Sequence, residues 1–226
     1  PLVPGSGHLI HMPSHIYVLC GEYEKTITSN IEAAEADEKY LEYDGELGIY
    51  YVYLLHNIHF QMYGAFFSGQ YEHAIRAARE MEAIVRPEYL LSDHPFLVNY
   101  LEAFYGMKAH VLIRFGKWQE ILDEPLPQDP ELFCVTHAVW QYAKGIAHAV
   151  LGNIDEAKAQ QRLLREAASN LPKDRIVFQN DTRDILAVAG PMLAGELDYR
   201  LGEYDSAFRN LRTAVKLYDN LNYSEP

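Results

Sequence analysis

The sequence predicts an all-α fold, about five helical hairpins stacked into a solenoid with one concave groove. Three observations carry this expectation. A glycine followed two positions later by an aromatic or aliphatic residue, and three further on by a small or apolar one, recurs five times. Long segments with helical apolar periodicity flank every copy, which is the layout of a helix–turn–helix unit. Strand signals are weak, because β-branched residues are scattered and no alternating run ends in Asn-Gly or Asp-Gly.

The five copies are Gly21-Glu22-Tyr23 with Thr26, Gly69-Gln70-Tyr71 with Ala74, Gly116-Lys117-Trp118 with Ile121, Gly152-Asn153-Ile154 with Ala157, and Gly202-Glu203-Tyr204 with Ala207. Their spacings are 48, 47, 36 and 50 residues. Each glycine is expected to supply the left-handed residue that ends a first helix, with the aromatic wedged between the two helices. The hairpins are expected over about 8–42, 46–86, 94–124, 130–170 and 179–220, within a single domain covering 1–226. Pro13 falls inside the first helix, where it either kinks the helix or marks its true start. Pro87 ends the second hairpin, and Asp93-His94-Pro95 opens the third, its leading Asp93 starting the helix in a way similar to Asp129 in the next; Pro125 cuts short the third hairpin's second helix. Asp129-Pro130-Glu131 combines N-cap, first-turn proline and dipole-matched acid, and starts a helix expected to run to Leu151. Leu171-Pro172-Lys173-Asp174 separates the last two hairpins.

Aligned on the glycine, these units resemble the tetratricopeptide repeat family across nearly the whole chain. The likeness includes the second-helix small residues Ala33 and Ala214 and the first-helix glycines Gly145 and Gly195. The spacings mostly exceed the standard repeat of about 34 residues. In the family, positions 13, 10 and 6 before the glycine of the first helix line the concave surface.

Histidines concentrate at those positions. His8, His11 and His15 lie 13, 10 and 6 residues before Gly21. His56 and His59 lie 13 and 10 before Gly69, with Tyr63 in the third place, and His110 lies 6 before Gly116. Fewer than one of ten histidines placed at random would fall on the fifteen positions; six do. Residues three and four apart share one helical face, so each set projects together.

Neutral imidazole is the commonest protein ligand for zinc and also suits copper, nickel and iron. Adjacent helices sit roughly 10 Å apart, so His11, His15, His56 and His59 are the expected metal ligands, with Tyr63 as an alternative to His56. A divalent transition metal such as zinc is the candidate cofactor. Imidazole also titrates near neutral pH and suits general acid–base work, for which Glu102 and Tyr142 offer a carboxylate and a phenol on the corresponding faces. The third reading is structural: histidines that hydrogen-bond to backbone or to the 17 tyrosines, or that orient a ligand.

Other positions carry weaker signals. His137, Gln141, Lys144 and His148 form a polar stripe along the fourth first helix, expected to be a solvated face. His73 and His94 sit near a turn and a helix start. Gly5-Ser6-Gly7 is no phosphate loop, because no Gly-Lys-Ser/Thr follows. Ser14 beside His11 and His15 lacks the Gly-x-Ser-x-Gly elbow of a nucleophile.

The segment His8-Leu9-Ile10-His11-Met12-Pro13-Ser14-His15-Ile16-Tyr17, with Tyr51 and His56-Asn57-Ile58-His59-Phe60, narrows the resemblance. It is similar to a group of mainly bacterial tetratricopeptide-repeat proteins that carry "HMPSHIY" and "HNxHF" motifs. Leu193-Ala194-Gly195-Glu196-Leu197 and Asn222-Tyr223-Ser224-Glu225-Pro226 also look like that group. The resemblance implies the fold and no particular reaction. In the group a histidine-bearing helical segment precedes this region and a proline- and tryptophan-containing stretch follows it. The chain, which opens at Pro1, therefore reads as part of a longer solenoid.

Composition bounds the function. The apolar fraction of 49% supports a sizeable core. A net charge of −13 without a Lys/Arg run makes nucleic acid and anionic membrane surfaces poor partners. Cys20 and Cys134 stand far apart outside any CxxC pattern and are expected as buried core residues rather than a disulfide. No apolar run is long enough to span a bilayer, and a cytoplasmic location is expected. The leading functional expectation is a repeat-scaffold module that binds a peptide, protein or small ligand in a groove lined by His8, His11, His15, His56, His59, Tyr63, Glu102, His110 and Tyr142. A metal-dependent hydrolase or oxidoreductase built on the histidine cluster is the alternative, and a scaffold that rigidifies a larger protein is the third.

Overall fold

Glycines and prolines decide where the helices of this chain begin and end. The computed structural model describes residues 3–44 and 48–223, and the protein is 76% helical. The expected start of the second hairpin at 46, and Ser224, Glu225 and Pro226 of the closing motif, lie outside the described residues. The chain divides into two compact units, the first running to Val111 and the second from Leu112.

The first unit contains α1 (Gly7–His11), α2 (Pro13–Leu19), α3 (Tyr23–Asp44), α4 (Ile49–Ser68), α5 (Tyr71–Ile84), α6 (Pro87–Leu90) and α7 (Pro95–Tyr105). The helix α8 (Met107–Arg114) begins within it. Pro13 kinks the first helix rather than starting it. Met12 keeps helical dihedrals (φ −48°, ψ −39°) and its N–H donates to the His8 carbonyl at 3.0 Å. Pro13 occupies the first position of α2, where its missing N–H would have had no helical partner in any case. The first helix therefore bends and continues, and α1 packs on both α3 and α4. Leu55, Ile58, Ala33, Ala78 and Leu101 are core residues of this unit, exposing no measurable surface.

The second unit holds α9 (Trp118–Asp123), α10 (Cys134–Leu151), α11 (Ile154–Asn170), α12 (Thr182–Arg200) and α13 (Tyr204–Tyr218). Here α10 packs on α9, α11 and α12, and α12 on α13. Close approach depends on glycine. A Cβ on Gly145 would lie 2.7 Å from a Leu193 methyl, and one on Gly195 would lie 2.7 Å from Leu211. A strand ladder that the sequence did not signal joins β1 (Ile176–Val177) to β2 (Asn180–Asp181) in antiparallel register before α12.

Gly21, Gly69, Gly116, Gly152 and Gly202 all take left-handed dihedrals, with φ of 76°, 74°, 66°, 82° and 80°. After each, the next N–H donates back five residues: Glu22 to Tyr17, Gln70 to Ala65, Lys117 to Leu112, Asn153 to His148, and Glu203 to Asp198. These bonds are all 2.8–2.9 Å long. Five repetitions of one Schellman closure satisfy the last carbonyls of five helices and reverse the chain each time.

Three local expectations need correction. Asp129 accepts from Glu131 N–H and Leu132 N–H but caps only one turn, and the regular helix starts at Cys134. His94, not Asp93, is the N-cap of α7. Cys20 is exposed at the end of α2 and Cys134 is half-buried, and both are free thiols. Cys20 adjoins the Gly21 turn, where the chain reverses and leaves no core to enter.

Gly7 is the closest contact of the first unit: a Cβ there would overlap the Ala33 carbonyl oxygen and the Asp37 carboxyl. One of those atoms is helix backbone and cannot turn aside. Gly7→Ala is expected to lower stability by about 1–3 kcal/mol, read from urea unfolding; an unchanged midpoint would mean that α1 does not need this approach.

Candidate functional site

The site is built by the kinked helix and by α4. On α1 and α2 the helical dihedrals of Met12 keep His8, His11 and His15 in helical spacing across the kink. His11 is wholly buried, His15 is nearly so, and both face α4. The His11 and His15 Nε2 atoms are 2.8 Å apart. The His56 ring lies 4.4 Å from that of His11 and 5.9 Å from that of His15, centroid to centroid. One ring nitrogen from each of His11, His15 and His56 falls within 4.8 Å of the other two. Phe60, one turn after His56, packs edge-on to His11 (4.8 Å) and His15 (4.5 Å) and tilted against His56 (5.1 Å). His8 stands beside the trio, stacked on Tyr53 at 4.5 Å.

The rest of the expected set is distributed differently. His59 is not one of the trio; its ring lies near Phe104 (5.7 Å) and Tyr63 (6.3 Å, stacked). His110 lies exposed on α8, and Glu102 is buried in α7. Tyr142 belongs to the second unit, where burial and then the Glu196 carboxylate push its phenol up to about 12. Ser14 Oγ is 3.4 Å from His11 Nδ1, a longer contact than the one His11 makes with Asn30.

Electrostatics favour uncharged imidazoles. Burial lowers His11 to about 4; hydrogen bonding to Asn30 opposes this, and His15, His8 and His59 add to it. Burial lowers His56 to about 2, with the neighbouring histidines adding to the effect. His59 falls to about 4 through burial and then His110. At neutral pH each therefore offers lone pairs rather than charge.

Sequence reasoning missed the polar seam of α3 beneath the site. Asn30, wholly buried, has its Oδ1 2.6 Å from His11 Nδ1, and its Nδ2 donates to the Thr26 carbonyl at 2.7 Å. Its backbone carbonyl accepts from Gln61 Nε2 on α4 at 3.3 Å. Asp37, also buried, accepts from Asn57 Nδ2 at 2.8 Å. Burial raises the Asp37 carboxyl to about 6, although the Gly7 N–H and Asn57 both act against this. Thr26, Asn30, Ala33 and Asp37 recur at four, three and four residues, so the seam was legible as helical periodicity carried by polar and small side chains.

The polar stripe of α10 is no open face. His137 Nε2 lies 2.8 Å from the Pro127 carbonyl, and Lys144 Nζ donates to the Leu122 and Glu124 carbonyls at 3.1 and 2.7 Å. Lys144 thereby caps the end of α9 and, with His137, ties down the segment that Pro125 and Pro127 keep out of a helix. His73 accepts from Arg76 at 2.7 Å on an exposed surface.

The depressed histidines make stability depend on pH. Their folded values lie below the unfolded value of about 6.5, so acid protonates the unfolded chain first. Their contribution is complete above about pH 6.5 and is lost as pH falls toward 4, on the order of 1 kcal/mol per pH unit for each histidine. Thermal melts in chelator should show this loss between about pH 7 and pH 5, and His56→Phe should flatten it. An identical melt across that range would contradict a neutral buried cluster. Compared with known protein families, characterised proteins and solved structures, the chain has no significant match.

Proposed function

We propose that this protein binds a transition metal, zinc being the best fit, through His11, His15 and His56 in a tetratricopeptide-like helical repeat. The single observation that carries the reading is the convergence of three ring nitrogens within 4.8 Å of one another from helices that pack together. Tetrahedral zinc with bonds of about 2.0–2.1 Å spaces its nitrogen ligands about 3.3 Å apart. The 2.8 Å His11–His15 separation would open by about half an ångström, and the longer ones close by 1.5 Å at most. Side-chain rotation supplies such changes.

Chemistry supports the same reading. Imidazole must be neutral to ligate, and His11 and His56 are held neutral well below physiological pH. Three imidazoles with one position left for water is the ligand set of catalytic zinc, which activates that water as hydroxide. A dication among three neutral ligands keeps its full charge in a buried place, which favours hydroxide or another small anion in the fourth position. The proposed class is therefore metal-assisted hydrolysis or hydration. Burial of His11, His15 and Glu102 weighs against these residues acting as exposed anchors for a peptide. The five identical glycine closures support the repeat reading of the scaffold.

The full chain, equilibrated with zinc and freed of excess by gel filtration, is expected to retain about one ion, as catalytic three-histidine sites do. His11→Ala and His56→Ala should lose it, whereas His59→Ala, outside the trio, should keep it. Elemental analysis decides: no stoichiometric zinc in the parent, or equal retention in all three variants, would reject this centre.

A further inference from the structure

The trio is held by a residue that no ligand pattern includes. Asn30 is an amide, and its two ends can be told apart by their surroundings. The atom 2.7 Å from the Thr26 carbonyl must be the NH2 group, since two oxygens at that distance would repel. The atom 2.6 Å from His11 Nδ1 is then the amide oxygen, which can only accept. His11 Nδ1 must carry the proton, and the lone pair of its imidazole sits on Nε2. Nε2 is the atom that faces His15 at 2.8 Å, on the side where the three rings meet.

We propose that Asn30 is the positioning residue of this centre: it fixes the Nδ1–H tautomer of His11 and aims the Nε2 lone pair at the ion. The inference rests on the metal-centre reading for its purpose but not for its geometry. In the metal-free protein the same tautomer makes His11 Nε2 the acceptor from His15 Nε2–H. Metal uptake therefore requires His15 to give up or relocate that proton, while His11 is already set. The contact also makes His11 a better donor to metal, because a hydrogen bond from the far ring nitrogen raises ligand basicity and locks ring orientation. Asn30 is itself immobilised: it lies mid-helix on α3 with no exposed surface, and Gln61 of α4 holds its backbone carbonyl. One residue thus touches the helix that bears His11 and the helix that bears His56.

Two measurements test the proposal. Long-range nitrogen–proton correlation spectra of the metal-free full chain report which His11 nitrogen is protonated, with His11→Gln to assign the signal. Protonated Nδ1 is expected; protonated Nε2 overturns the proposal without any appeal to metal. Zinc affinity is then measured by competition with a chromophoric chelator. Asn30→Leu, similar in volume but without an acceptor, should weaken zinc binding 10- to 100-fold and allow the Nε2–H form. Gln61→Met removes the tie to α4 while leaving the His11 contact, and should change affinity less than about twofold. Equal weakening by both variants would make Asn30 merely structural, and unchanged affinity in Asn30→Leu would also overturn the proposal. Should Asn30→Leu fail to fold, the tautomer of the parent still decides. A parent with the Nδ1–H tautomer that takes up no zinc would defeat the metal-centre reading and leave the tautomer assignment standing.

Discussion

The histidine site depends on how closely α1 can lie against α3. Gly7 lets the start of α1 settle onto the Ala33 carbonyl and the Asp37 carboxyl at a distance that a side chain would forbid. A helix held off by even one methyl group would carry His8 and His11 outward with it, because the helix moves as a rigid rod. Asp37 ties this seam together. It accepts from Gly7 N–H on α1 and from Asn57 on α4, so one carboxyl fixes both helices that supply the histidines. Its elevated pKa records the cost of placing it there, since burial outweighs both hydrogen bonds.

Once the helices are set, desolvation determines the chemical state of the rings. Charging a buried imidazole beside other imidazoles would add the cost of burial to mutual repulsion, so the neutral form prevails in His11 and His56. Neutral rings still have polar nitrogens that need partners. His11 finds them in Asn30 on one side and His15 on the other, while Phe60 closes the edge with an apolar ring. The result is a set of packed rings in which His11 and His56 carry no charge, and an uncharged imidazole is the form that can ligate.

The second unit uses the same turns for a different end. Its glycine closures match those of the first unit in dihedral and hydrogen bond, yet its helices meet through Gly145 against Leu193 and Gly195 against Leu211. Val135, Ile146, Leu164, Leu186 and Leu197 belong to its hydrophobic core. Polar side chains on α10 serve the backbone instead, His137 and Lys144 supplying partners for carbonyls left open around the Pro125–Pro127 segment.

Helical class, the five turns and the concentration of histidines at the front of the chain were all legible in the amino-acid sequence. Each of these is local: a left-handed turn needs glycine, a helix face repeats every three to four residues, and proline cannot continue a helix. The kink at Pro13 was open from sequence, because both outcomes satisfy the proline; packing of α1 on α3 and α4 decided it. Membership of the site was likewise a tertiary matter. His56 and His59 share a helix face within one turn, and only the seating of α1 on α4 selects His56 for the trio and leaves His59 to Phe104 and Tyr63. Asn30 and Asp37 were visible only as polar residues in a helix, since what makes them matter is the burial that brings His11, Gly7 and Asn57 against them. Local rules specify which residues can face together; the distances between helices, set by the small residues at their crossings, specify which of them meet.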